Sequence, residues 1–430
     1  MRAPVRHPLL IMAGVVLLTL PWLVVRGSGL VSRLSTAAVI GLTGLAVIGA
    51  AFLLTWAAET AEVDVPRSFA LAVLAVIAVA PEYAVDALYA WEAGQNPGSP
   101  AAEAAANLAV ANMTGANRIL IGLGWSLIAL YAIVRAARAN DTSVVKREGF
   151  LADAVDLDRR IGTEILFLGA ATFYAFLIPL NGGIDAIDAI VLVGLYAGYI
   201  LVILRGEEAH EPQLGVPGYL QGFPRTKRII TVLGLFAFSA AVILLAVKPF
   251  AKGLEVLGPR IGVSSFFMIQ WVAPLASESP EFIATAYLVR KLRTTAAFNA
   301  LISSKLNQWT LLIGTLVVVY SLSLGAYDVL SFNRKQAAEI WLTAAQSLFA
   351  VALIIDFRLS IREALALLGL FGLQFLPALQ RYEGLILWTW VYVALAVVIL
   401  IRRRRWLPQV VTVVRARANG RTPTIDRSPD

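Results

Sequence analysis

The chain has 430 residues, 59% of them hydrophobic and only 15% charged. No soluble core buries that share of apolar side chains, so the composition excludes a soluble globular protein and indicates a polytopic membrane protein. There is no cysteine, which excludes disulfides, thiolate metal sites and thiol catalysis.

Apolar runs of about 20 residues, the length that crosses a bilayer, recur about twelve times. In chain order they fall near 8–26, 35–58, 66–92, 103–137, 162–180, 184–205, 229–247, 262–290, 294–324, 336–355, 360–379 and 384–402. The N-terminal MRAPVRHPLLIMAGVVLLTLPWLVV reads as an uncleaved span, because it lacks a small-residue cleavage site. The fourth and ninth runs are long enough to be tilted or broken. The net charge of +8 is distributed by side. Arg2, Arg6, RAARANDTSVVKREGF, Arg225, Lys227, Arg228, RKLR at 290–293 and RRRR at 402–405 all fall on one face of a twelve-span arrangement. That face is cytoplasmic by the positive-inside rule. Lys248, Lys252, Arg260, Arg334 and Lys335 depart from the pattern. Both termini are then cytoplasmic in a cell-membrane protein, and the charge requires no nucleic-acid partner.

The chain repeats itself. AVAPEYAVDALYAW (78–91) resembles SESPEFIATAYLVR (277–290), with Tyr89 and Tyr287 following each Pro-Glu-aromatic. NRILIGLG (117–124) aligns with NQWTLLIG (307–314), and TEILFLGAATFYAFLIPL (163–180) with AEIWLTAAQSLFAVALII (338–355). The first Pro-Glu lies in span three and the second in span eight. An odd offset makes the copies cross the membrane in opposite directions, and inverted repeats of this kind build secondary transporters. The expected fold is an all-α polytopic membrane protein with two inverted five-helix repeats and two flanking helices. Residues 1–34 form the first flank and 35–205 the first repeat. A cytoplasmic loop at 206–228 leads to the second repeat at 229–383, and 384–430 form the last helix and a basic tail.

Charges inside a membrane cost about 2.5–3.5 kcal/mol each, so those retained have a purpose. The ones of interest are Glu82, Asp86, Arg118, Glu278, Glu281 and Lys305. Glu82 and Asp86 are four apart, and Glu278 and Glu281 three apart, so each pair shares a helix face. Pro81 and Pro280 each remove an N–H and free a carbonyl one turn earlier. A carbonyl beside a carboxylate is a hard-oxygen site suited to Na⁺ or Ca²⁺. Two kinked half-sites would meet centrally and cage a cation. The alternative is that the carboxylates pair with Arg118 and Lys305 and hold the bundle together. Four acids against two bases, all ionised, leave a net charge that one Ca²⁺ or two monovalent ions would neutralise. Arg118 and Lys305 have a further alternative, snorkelling to an interface.

On these motifs the chain resembles the sodium/calcium exchanger family of Ca²⁺:cation antiporters. That family has two inverted five-helix halves, each with a repeat reading G-T-S-x-P-E and then G-S-N with a further polar residue. LASESPEF with LISSKLNQWTLLIG matches the second repeat, and IAVAPEYAVD with NMTGANRILIGLG the first, over 66–137 and 262–325. The resemblance implies that Glu82 and Glu281 are the central ion ligands. The Thr-Ser pair falls on Ser277 and Glu278 in the second repeat, but on Ala78 and Val79 in the first. The later polar positions fall on Ser304, Lys305 and Gln308, with Asn307 beside them. In the first repeat they fall on Thr114, Gly115 and Arg118, or on Asn117 if a loop gap shifts the register. Asp86 and Glu278 are extra carboxylates, and Arg118 and Lys305 are candidate charge substitutes for bound ions in the site.

The implied function is cation antiport by alternating access, exchanging Ca²⁺ for Na⁺, without a cofactor. Proton-coupled exchange on the same scaffold is the second reading. The only histidines are His7 and His210, both outside the expected spans, so a proton would ride on a carboxylate such as Glu82. A membrane enzyme is disfavoured, since no HExxH, GxSxG or intramembrane histidine is present. A non-transporting scaffold is a further alternative. EEAHEP (207–212) reads as a solvated acidic loop. Trp91, Trp125, Trp271 and Trp309 are either interface anchors or core packing. Cations and lipid are the partners; the sequence leaves the oligomeric state open.

Overall fold

A computed structural model describes residues 7–65, 79–139, 143–205 and 213–420 of the chain. The protein is an all-helical membrane protein with a few very short strands. The helices are α1 (Pro8–Gly27), α2 (Thr36–Ala61), α3 (Ala80–Gln95), α4 (Pro100–Ile119), α5 (Ser126–Ala139), α6 (Gly162–Ala175), α7 (Ala186–Arg205) and α8 (Gly215–Gln221). They continue with α9 (Arg225–Arg260), α10 (Ala273–Arg290), α11 (Thr294–Asn307), α12 (Ile313–Leu324), α13 (Arg334–Ile354), α14 (Ile361–Leu373), α15 (Tyr382–Arg402) and α16 (Leu407–Ala418). Side chains close the helix starts. Ser35 caps α2, Ser99 caps α4 and Asn333 caps α13, each accepting from a first-turn N–H. Ser360 and Glu363 form a reciprocal capping box on α14.

Among the described residues, nine stretches are long and apolar enough to cross a membrane, fewer than the twelve or so apolar runs. Part of the third run, 66–78, lies outside the described residues, as does the acidic 207–212. The eighth contains α10, whose 18 residues include Glu278, Glu281 and Arg290. The eleventh is α14, whose 13 residues reach about 20 Å, short of a hydrocarbon core of about 30 Å. The long fourth and ninth runs are interrupted by π-turns at Leu120–Trp125 and Gln308–Leu312, and a third π-turn, Met268–Val272, precedes α10. Such insertions change the face the rest of a helix presents and recur at functional sites.

The chain divides into two compact units, residues 1–88 with 208–280 and residues 89–207 with 281–430. In the first, α2 packs against α1, α8 and α9 through small residues. A Cβ on Gly49 would meet Thr19 at 2.8 Å, and one on Gly253 would meet Ile40 at 2.6 Å. Ala57, Ala58 and Ala61 bury against Val232. Beyond that contact Arg228 grips Asp64 with two parallel hydrogen bonds of 2.6 and 2.7 Å. The guanidinium holds the Asp64 carboxyl below its usual range.

In the second unit α13 is the central helix, packed by α4, α6 and α15. Every residue from Gln336 to Ile354 except Trp341 is buried. The segment 143–161 carries β1 (Val144–Val145) and β2 (Ala154–Asp156). Further short strands are β3 (Gly183–Ile184), β4 (Leu330–Ser331) and β5 (Arg358–Ser360). β2 pairs antiparallel with β1 and with β5, and β3 with β4. The basic tail is also structured as far as Gly420, where the described residues end. It forms α16, which packs on α6 and α7 and buries Val410, Val413 and Arg417. Large apolar side chains face outward on α7 and α9, such as Ile190 at 72% and Leu244 at 79% exposure, as lipid contact requires. Trp125, Trp271 and Trp309 are core residues, whereas Trp91 is exposed.

Candidate ion-binding site

The first unit gathers Glu82, Asp86, Ser277 and Glu278. Glu82 lies in the first turn of α3, and Pro81 beside it sits where a missing N–H costs nothing. Glu82 and Asp86 are both buried, one turn apart on one face. From α10, the Ser277 hydroxyl donates to Glu82 Oε2 at 3.1 Å. The Glu278 carboxyl stands close to that of Glu82, with Asp86 also near. Two carboxyl groups in such contact hold either a proton or a cation between them.

α10 continues as a helix through Pro280. The carbonyl freed by the proline belongs to Ala276, and the Ser279 hydroxyl donates to it at 2.9 Å. A serine hydroxyl thus replaces the lost N–H, so this carbonyl is not the bare ion ligand the sequence suggested.

The second unit gathers Glu281, Ser304, Lys305, Asn307, Gln308, Asn117 and Arg118. The Ser304 hydroxyl donates to Glu281 Oε2 at 2.9 Å. The Lys305 ammonium is fully buried. It donates to Asn117 Oδ1 at 2.6 Å and stands 4.2 Å from the centre of the Trp309 ring. The other end of the Asn117 amide donates to the Met113 carbonyl at 2.8 Å, which fixes its oxygen towards the lysine. Asn307 and Gln308 are buried at the junction of α11 with its π-turn.

Arg118 does not snorkel, because it is fully buried. Its guanidinium pairs with Glu339 at 2.5 Å and donates to Gln374 at 3.2 Å. Gln346 donates to the Arg118 carbonyl, and Gln374 donates on to Gln346 and Tyr392. Glu339 therefore neutralises Arg118 locally and is an intramembrane acid missing from the tally of four. Sequence reasoning passed over Glu339, Gln346 and Gln374. One signal was present: the match of TEILF to AEIWL puts Glu164 and Glu339 at equivalent places, and both are buried. Among the described residues no three His, Cys, Asp or Glu side chains stand close enough to hold a metal by themselves.

The profile of the sodium/calcium exchanger protein family matches residues 34–205 and 231–379. No curated protein matches the chain by sequence. Among solved structures, the H⁺/Ca²⁺ exchanger CAX is 42% identical, with a TM-score of 0.86 over 95% of this chain and 98% of that one. YfkE, titled a Ca²⁺/H⁺ antiporter in one of its structures, is 14% identical, with a TM-score of 0.57 over 87% of this chain and 99% of its own. The sodium-calcium exchanger NCX_Mj is 15% identical, with a TM-score of 0.50 over 79% and 98%. At such identities the last two share the fold. The chain belongs to the sodium/calcium exchanger family and is a membrane-embedded cation exchanger.

Proposed function

We propose that this chain exchanges Ca²⁺ for protons across the membrane, with Glu82 and Glu281 as principal ion ligands. The contact between the Glu82 and Glu278 carboxyls carries the reading. Two facing carboxyls repel when both are ionised, and either a proton or a divalent cation between them relieves that repulsion. The likeness to CAX, an H⁺/Ca²⁺ exchanger, over nearly the whole chain supports the same coupling.

The chemistry follows from the hydrogen bonds. A serine hydroxyl is donor and acceptor at once. Ser277 and Ser304 donate to Glu82 and Glu281. When Ca²⁺ arrives, each carboxylate turns to the ion, and each hydroxyl rotates to offer a lone pair instead. Proton release from the Glu82–Glu278 pair offsets one of the two charges that Ca²⁺ brings. Asp86 adds a polar group in the first unit and Asn117, Asn307 and Gln308 do so in the second, and alternating access carries the loaded and protonated forms in opposite directions. Na⁺ coupling, the first reading of the sequence, is the alternative. It is favoured by the same hydroxyl and carboxylate oxygens, which suit Na⁺ as well as Ca²⁺.

The test is Ca²⁺ uptake into liposomes holding the purified protein. An outward proton gradient is expected to drive uptake, and Glu82→Gln and Glu281→Gln to reduce it to the protein-free background. Uptake driven by Na⁺ alone would move the chain to the alternative. Absence of flux under either gradient would sink the transport reading.

A further inference from the structure

We infer that the Lys305 ammonium is a built-in monovalent cation, occupying a cation site formed by the Asn117 amide oxygen and the Trp309 ring and keeping Na⁺ out of it. The inference rests on the proton-coupled reading above and explains why one half of the protein needs no Na⁺.

Lys305 lies on α11 next to Ser304, whose hydroxyl grips Glu281. Its ammonium has no exposure, so its four-carbon stem delivers the charge inward and not to an interface. There it meets an amide oxygen at 2.6 Å and the face of an indole at 4.2 Å. A carbonyl-type oxygen and an aromatic face are what a desolvated monovalent cation seeks. The Asn117 amide is tied at its nitrogen end to Met113, so the oxygen is held ready for a cation whether or not lysine supplies it. The arrangement exists in one repeat only. In the register that pairs Asn117 with Asn307, the positions equivalent to Lys305 and Trp309 are Gly115 and Ile119. Glycine has no side chain with which to fill the equivalent place.

Replacing the ammonium by a neutral group of similar length should leave the oxygen and the ring face open to Na⁺. The experiment measures equilibrium binding of ²²Na⁺ to the purified full chain in Ca²⁺-free detergent solution, with thermal unfolding in NaCl against choline chloride. The wild type and Lys305→Arg are expected to show no saturable Na⁺ binding. Lys305→Met and Lys305→Gln are expected to gain saturable binding close to one equivalent, and to unfold at a higher temperature in NaCl than in choline. A wild type that already binds Na⁺ saturably would overturn the inference. So would folded neutral variants that bind none, or variants that unfold in choline and are not rescued by NaCl. The assay reads binding and not flux. Failure of proton-driven Ca²⁺ uptake would sink the proposed coupling, whereas failure of Na⁺ binding in the neutral variants would sink the role of Lys305.

Discussion

Asp356 occupies the turn between α13 and β5, 3.1 Å from the Arg403 guanidinium, and yet burial pushes its carboxyl up to about 6. Its folded-state value lies above the ordinary carboxylate value near 4. Between about pH 4 and pH 6 the folded chain therefore binds more protons than the unfolded chain, and stability falls as pH rises through that window. Asp356→Asn removes the dependence. Thermal unfolding in detergent should give similar values for the two proteins near pH 4, with the wild type falling behind the variant towards pH 7. A difference independent of pH would count against this account. The Arg118–Glu339 pair is buried as well, and its stability rests on charge compensation between the two partners. Glu339→Leu alone leaves an uncompensated buried guanidinium and should cost about 3–5 kcal/mol, whereas the double change with Arg118→Leu should recover much of that loss. Denaturant titration of the two single variants and the double variant reads the coupling.

At the scale of the element, the π-turns and glycines decide how closely helices approach. Gly122 lies in the π-turn after α4, where an added Cβ would come within 2.3 Å of Phe371 on α14. Gly122→Ala must move that ring and is expected to cost about 1–3 kcal/mol of stability, the range for overpacking. A stability equal to the wild type would show that α14 yields freely. Ser279 is a second such determinant. The Ala276 carbonyl depends on its hydroxyl because Pro280 offers no N–H. Ser279→Ala should therefore destabilise α10, leaving that carbonyl for water or an ion.

At the scale of the whole molecule, we propose from the distribution of arginine and lysine that both termini are cytoplasmic. The chain contains no cysteine, so single introduced cysteines report cleanly. In sealed right-side-out vesicles Ala3→Cys and Ser428→Cys should both resist an impermeant maleimide until the membrane is opened. Labelling of either one from outside would overturn the arrangement of both.

Hydropathy and self-similarity were enough to read a polytopic helical transporter from the sequence, and the resemblance of the Pro-Glu repeats to the exchanger family added cation exchange. Each span must satisfy its own backbone hydrogen bonds in lipid, and only a long apolar helix does so. The Pro-Glu repeats marked Glu82 and Glu281 because carboxylates are costly in such spans. Their hydroxyl partners Ser277 and Ser304 stood in or beside the same motifs. The partner of Arg118 could not be read in that way. Glu339 is 221 positions away, and which acid meets which base depends on how α4 packs against α13. The π-turns, the Ser279 substitute for a missing N–H and the docking of α16 were also decided by tertiary structure. Each reflects a local backbone or side-chain group whose best partner is set by which neighbour is in reach. Periodicity and composition establish that a helix exists and which residues are expensive to bury. The three-dimensional packing alone determines what compensates them.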